Sequence, residues 1–321
     1  EQLFDNKIDF VLVESSWHGN ADSWLYRVAS YQKPPGNELL EVVRWARRCG
    51  VPTVFWNKED PPNFDRFIDR AVDFDFIFTT DENCISRYRA RVSEKTHVAA
   101  LPFAAQPVIH NPFLSEARLN ATSFAGTYYA DDFEPRRRAM DMLLRAASRH
   151  GLDIFDRMHG VSGPDKQRFA FPEDLRSYVR GSLPYEEMLK AYRRYRVALN
   201  VNSVSDSPTM FSRRVFELLA CGTPVVSTES VGIDRIFNGL VPTVETEAEA
   251  SATLRELMTD PAGWMRASQR GMRAVFNEHT YAHRQKSIAQ AIGLPDLAPV
   301  ARELVVVLHP GADPRWAADM V

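Results

Sequence analysis

Cysteine is scarce in this chain: among 321 residues there are three, Cys49, Cys84 and Cys221. The number is odd and no two lie close enough in sequence to form a metal-binding pair, so neither a disulfide framework nor a zinc site is indicated. A reducing, cytoplasmic setting fits best. Long hydrophobic runs are missing as well: none approaches the ~20 residues that span a bilayer, and the N-terminus has no signal-peptide pattern. Nor is there an excess of positive charge. With 39 Lys and Arg against 42 Asp and Glu the formal net charge is −3, which gives no overall basic field to hold nucleic acid or an anionic membrane. A local basic patch remains able to bind one phosphorylated small molecule. The chain begins at Glu1 rather than Met, consistent with a fragment of a longer protein that carries a further catalytic domain.

What is present is an ordinary globular composition, 45% hydrophobic and 25% charged. At roughly 100–200 residues per domain the length implies about two domains. Short apolar runs alternate with longer amphipathic stretches, the pattern of repeated βα units with parallel sheets. Strands are predicted at 10–13, 54–56, 76–78 and 97–101, and a helix at 39–49 (LLEVVRWARRC) closed by Gly50. The segment LPFAAQPVIHNP (101–112) carries three prolines and little periodicity, which marks a linker, with a hinge at 106–112. A second series follows: a strand ending at 124–125, a helix at 134–150 with Pro135 in its first turn, a helix at 185–195, strands at 197–201, 224–227 and 241–244, and helices through most of 247–292. The expected fold class is therefore α/β, two Rossmann-like domains with parallel sheets facing each other across a cleft. The boundaries are 1–108 for the first domain and 109–280 for the second. Residues 294–321 form a tail in which 303–308 (ELVVVL) could open a further, truncated domain.

The segment 200–228, NVNSVSDSPTMFSRRVFELLACGTPVVST, carries the functional argument. A buried strand ends in small polar residues from Asn202 onward. Ser207 is a good N-cap and Pro208 a good first residue for a helix over 208–221. Such a helix start, in the stretch Ser207, Pro208, Thr209, Met210 and Phe211, would aim unpaired backbone N–H groups and the positive end of its dipole at a phosphate. Phe211, Val215, Leu218 and Leu219 share one helical face and must pack, while Met210, Arg213, Arg214 and Glu217 fall on another. Arg213 or Arg214 suits bidentate phosphate recognition, and Glu217 could accept from two neighbouring sugar hydroxyls. The bland alternative, a surface pair between Arg213 and Glu217, is disfavoured by their place after a cleft loop.

Other strand ends supply further candidates. Gly126, Thr127 and Tyr128 follow a strand and precede a helix with Arg136, Arg137 and Arg138; the glycine admits a diphosphate close to the backbone and one arginine, taken as Arg136, neutralises it. After the first strand come Trp17, His18, Gly19 and Asn20, with His18 able to orient a hydroxyl or act as acid or base. After the second come Trp56, Asn57, Lys58, Glu59 and Asp60. Trp56 could stack on a sugar ring, and Glu59 or Asp60 could activate an acceptor. Against each stands a structural reading, as packing residues or solvated loop. No Asp-x-Asp metal motif stands in a donor loop, so no metal is expected and no cofactor beyond the donor itself.

FELLACGTPVVS (216–227) resembles the nucleotide-sugar signature of retaining GT-B glycosyltransferases, glycosyl transferases group 1. In that family the Glu holds the donor ribose, a role the resemblance gives to Glu217. Members carry a second Glu eight positions earlier, near the donor sugar; this chain has Thr209 there. The wider chain is similar to the CgeB-like branch, the spore-maturation and surface-polysaccharide glycosyltransferases, through ESSWHGN (14–20), TVFWNKEDP (53–61), FTTDENCISRYR (78–89), LPFAAQP (101–107) and FAGTYY (124–129). The resemblance implies a UDP- or GDP-type sugar donor, a glycan, lipid-linked or protein acceptor, and a final helix over 281–293 that returns to the first domain. A nucleotide-sugar epimerase or hydrolase, or a non-catalytic sugar-nucleotide or glycan-binding module of a larger synthase, stays open beside the transferase.

Overall fold

The computed structural model describes residues 8–31, 35–113, 116–163 and 165–295. The strand expected at 303–308, and with it nearly all of the expected tail, lies outside the described residues. The first series is β1 (Val11–Glu14), α1 (Glu38–Arg48), β2 (Thr53–Asn57), α2 (Phe64–Ala71), β3 (Phe76–Thr79), α3 (Ile85–Arg89) and β4 (His97–Ala100). Its strands are parallel in the order β1-β2-β3-β4. Gly50 sits just past α1 with φ 69°, the left-handed position at which glycine ends a helix without steric cost.

The second series starts with β5 (Leu119–Gly126), α4 (Glu134–Ser148) and β6 (Leu152–Asp156), then two single turns, α5 (Asp165–Arg168) and α6 (Glu173–Arg176), and β7 (Val179–Gly181). It continues with α7 (Tyr185–Arg194), β8 (Tyr195–Asn200), α8 (Arg214–Ala220), β9 (Val225–Thr228), α9 (Val231–Phe237) and β10 (Thr243–Val244). The chain of helices α10 (Glu247–Thr259), α11 (Pro261–Glu278) and α12 (Tyr281–Ala291) closes it. The parallel sheet has the order β10-β9-β8-β5-β6-β7. The chain thus runs outward from β5 to β7, crosses back to β8 and runs outward the other way. The reversal lies between β5 and β8, and the crevice beyond the carboxyl ends of strands at such a reversal is where doubly wound sheets bind ligands.

Both faces of the inner strands are covered, which is why β2, β8 and β9 read as nearly continuous apolar runs. On β2, Phe55 packs with Phe67, Phe74 and Ile77, whereas Val54 and Trp56 pack with Phe78, Leu101 and Ile288. Ile288 belongs to α12, so the last described helix lies against the first sheet. In the second sheet, Val197, Leu199 and Val226 meet Leu144 and Leu254 on one face, while Ala198 and Val225 meet Val215, Leu219 and Val275 on the other. Burying a large apolar side chain in this way contributes about 1.5–3 kcal/mol.

The segment between β4 and β5, where a hinge is expected at 106–112, is bonded along its length. Its prolines remove N–H donors but leave carbonyls, and two arginines bond to carbonyls along it. Arg284 of α12, 6% exposed, donates to Pro102 O and Phe103 O, both at 2.8 Å. Arg193 of α7 donates to Asn111 O at 2.7 Å and also to Ile109 O. Residues 106–112 are therefore bonded to the second unit rather than left loose.

Candidate functional site

The helix expected to start at Pro208 starts at Arg214 instead. Ser207 still makes the bonds of a cap, but Thr209 is tied to the turn after β3 and the residues that follow do not continue as helix. Ser207 Oγ accepts from the amides of Met210 at 2.9 Å and Thr209 at 3.3 Å, and donates to Asp81 Oδ1 at 2.5 Å, across to the turn after β3. Thr209 Oγ1 donates to Thr80 O and accepts from Glu82 N–H, each at 2.9 Å. The amides of Thr209 and Met210, expected to meet a phosphate, are thus satisfied within the protein. Phe211 is buried against Phe216 and Phe237. Gly232 of α9 lies so close to this loop that a Cβ there would come within 2.9 Å of Ser207 O and 3.4 Å of Pro208. Residues Ser207 to Phe211 are a junction between the two units, and the anion site expected at a helix start over them is not formed. Asn202 is diverted in the same way: its side-chain amide donates to Thr228 O and Ser227 Oγ, both at 3.0 Å, and so ties the end of β8 to β9.

A cleft at the carboxyl ends of β5 and β6 has a volume of about 520 Å³. Its wall combines Ala125 and Gly126 at the end of β5, Phe155 and Arg157 from β6 and its exit, Ser182 to Tyr185 leading into α7, Met188 and Tyr192 of α7, and Arg213 and Arg214. Gly126 and the two arginines are brought together as expected from sequence. A Cβ at Gly126 would stand 2.7 Å from the Phe124 ring, so a larger residue at that strand end would have to displace the ring.

Glu217 lies directly behind this wall and is 2% exposed. Its Oε2 accepts from Tyr192 OH at 3.2 Å, while Oε1 lies 3.5 Å from Arg213 Nε and 3.8 Å from His110 Nε2. Burial, aided by the Glu217 charge, pushes the Tyr192 hydroxyl up, which keeps it a donor. Burial acts to lower Arg213, yet Glu217 and the surrounding tyrosines hold it above its ordinary value. Two cleft residues, Tyr192 and Arg213, therefore both touch a buried carboxylate. His110, Tyr185, Tyr192 and Arg157 were not singled out from the sequence. Their only signal was position beside strand ends, since a tyrosine in an amphipathic helix ordinarily packs.

The rest of the β5–α4 turn does not reach the cleft. Tyr128 is buried, its ring near Phe171, with its hydroxyl on Asp141 at 3.0 Å. Arg136 donates through both Nη atoms to Thr127 O at 3.2 Å. Thr127 and Arg136 thus close the turn on itself, because the carbonyl at its apex needs a donor.

The first-unit loops separate similarly. Trp56 is 2% exposed and donates from Nε1 to Leu101 O at 3.0 Å, so it cannot stack on a sugar. Asn57 and Asp60 are fully buried. Asp60 accepts from Asn57 Nδ2 at 2.8 Å, Thr79 Oγ1 at 2.6 Å and Tyr88 OH at 2.9 Å. Burial outweighs these donors and raises its pKa to about 6, but a sealed carboxyl has no access to an acceptor. Trp17 packs edge-on against Phe67 at 5.1 Å. Lys58 pairs with Glu14 at 2.5 Å, over the Trp56 ring. Gly19 takes φ 70° with its amide on Ser16 Oγ, and Asn20 opens a short 3-10 turn. His18 stays exposed, with Nδ1 on Asp22 at 2.7 Å, and Glu59 is half-buried with Oε2 on Asn63 at 2.8 Å.

Among the described residues no group of three or more His, Cys, Asp or Glu is placed to hold a metal ion. No helix among them is long and apolar enough to cross a membrane.

Residues 136–290, just under half of the chain, match a family described as glycosyl transferase-like. No curated protein matches the sequence. Among solved structures the chain is similar to a glycosyltransferase from Rickettsia africae, with 9% identity, TM-score 0.55, and coverage of 87% of this chain and 83% of that one. It is also similar to Anabaena HepE in complex with UDP and glucose, with 12% identity, TM-score 0.53, and coverage of 79% and 75%. A third is the N-terminal domain of Candida albicans trehalose-6-phosphate phosphatase, with 10% identity, TM-score 0.50, and coverage of 86% and 79%. At these identities the likeness establishes the architecture, GT-B.

Proposed function

We propose that this GT-B enzyme, glycosyl transferase-like over residues 136–290, moves a sugar from a nucleoside diphosphate to a glycan, lipid-linked or protein acceptor. The observation that carries the reading is the meeting of Gly126, Arg213 and Arg214 in one cleft, backed by buried Glu217. A bare glycine edge admits a diphosphate, guanidiniums offer forked donors to it, and the carboxylate behind them fixes the two cleft residues it meets, Tyr192 and Arg213. Catalysis then rests on positioning the donor and on stabilising charge on the departing diphosphate, work that Arg213 and Arg214 perform without a metal. Of the three residues considered as acceptor-activating base, His18 and Glu59 keep access to an acceptor. The branch we favour is the CgeB-like one, acting in surface-polysaccharide assembly in the cytoplasm.

Thr209 supports a second reading. Its hydroxyl is spent on Thr80 and Glu82, so no carboxylate stands where the group 1 transferases have one near the donor sugar. An epimerase or hydrolase would tolerate that change.

A thermal-shift screen of UDP, GDP and their sugars tests the site, because a ligand that binds only the folded state raises its stability by mass action. Glu217→Ala should abolish the shift. No shift with any nucleotide would remove the transferase reading, and donor turnover without acceptor would select the epimerase or hydrolase.

A further inference from the structure

His110 and Tyr185 take no part in the reading above, yet they form a hydrogen-bond chain whose direction is fixed. His110 is buried at the end of the segment that joins the two units. Its Nδ1 accepts the backbone N–H of Gln106 at 3.0 Å. A neutral imidazole that accepts at Nδ1 carries its proton on Nε2. Burial lowers the pKa of His110 despite the nearby Glu217, so the ring is neutral at neutral pH.

The Nε2–H has two oxygens in front of it. Tyr185 Oη is 3.1 Å away and Glu217 Oε1 3.8 Å. The first is hydrogen-bond distance and the second is not, so Tyr185 accepts from His110. A phenol that accepts through its oxygen has its own proton to give elsewhere. Burial and the charge of Glu217 raise the pKa of Tyr185, which preserves that proton. The Tyr185 ring, 45% exposed, forms part of the cleft wall, and Arg213 lies over it at 5.9 Å.

We propose that His110 and Tyr185 form a polarised relay that holds the Tyr185 hydroxyl as a hydrogen-bond donor to an oxygen of the bound nucleoside diphosphate. Tyr185 is then a binding residue and His110 a positioning residue. The proposal rests on the donor-binding reading of the cleft.

Calorimetric titration of UDP and GDP into wild type, Tyr185→Phe, His110→Asn, His110→Gln and the Tyr185→Phe/His110→Asn pair tests it. Asn keeps an acceptor for Gln106 but offers nothing at the Nε2 place, whereas the Gln amide restores a donor there. Tyr185→Phe and His110→Asn should each weaken the tighter nucleotide by about five- to tenfold. The double variant should be no weaker than either single one, because the two act as a unit, and His110→Gln should bind within about threefold of wild type. Additive losses, or wild-type binding by Tyr185→Phe, would overturn the relay. Should His110→Asn fail to fold, His110→Gln decides: near-wild-type binding beside a weakened Tyr185→Phe supports the relay, and a loss of about tenfold refutes it. If wild type binds neither nucleotide, the donor reading itself fails.

Discussion

Replacing Asp60 by asparagine should change how stability depends on pH. Asp60 is completely buried among three donors, and burial carries its pKa from 3.8 to about 6. Between those values the native protein holds a proton that the unfolded chain has released. The protonated carboxyl therefore contributes stability that is present in full below pH 3.8 and lost as pH rises through about 6. A shift of about two units corresponds to about 3 kcal/mol. The substituted amide cannot titrate, and the hydroxyls of Thr79 and Tyr88 can rotate to accept from it. Measured by urea unfolding at pH 4, 5, 6 and 7, the Asp60→Asn variant should gain about 2 kcal/mol relative to wild type across the series. A gap that stays constant with pH, or moves the other way, would refute the reasoning. Sugar transfer by the variant should persist at pH 7, since nothing from solvent reaches this carboxyl.

The two inter-unit contacts give further expectations. Arg284→Met leaves the carbonyls of Pro102, Phe103 and Glu278 without their donor and should cost about 3–5 kcal/mol in chemical denaturation; Lys, a point donor, should not restore it. Ser207→Ala removes the donor to Asp81 and the acceptor for two amides. It should cost about 1–3 kcal/mol and increase limited proteolysis within residues 203–213.

Most elements were legible because each strand and helix announces itself within a few residues. The alternation of Val54 and Trp56 with Phe55 marks a strand buried on both faces, and Gly50 marks a helix end by its own conformational freedom. Ser207 shows the limit of that locality. Ser followed by Pro satisfies every short-range rule for a helix start, and Ser207 does accept from the next amides. Thr209, however, is tied to Glu82 and Thr80, 127 and 129 positions away, and the helix begins only at Arg214. Trp56 and Asp60 failed for a related reason. A loop rich in polar residues reads as exposed, but Tyr88 and Thr79 come from other elements to bury Asp60 and satisfy it.

Glu217 was picked out by its place on the helix face away from the packing residues and by the signature around it, not by its burial. In the run VFELLA every residue is buried, and a carboxylate in such a run must either face a ligand or find donors, since an unpaired buried charge costs several kcal/mol. The sequence pointed at the position while hiding its partners, of which only Arg213 is local. Tyr192 comes from α7. His110, from the segment between the sheets, lies 3.8 Å from the carboxylate and gives its donor to Tyr185 instead, so the connection between the two units reaches the cleft wall through that hydroxyl. A change at His110 should thus be felt at the cleft even though the residue lies behind its wall, and this is the property by which a site of this kind can be told from a surface ion pair.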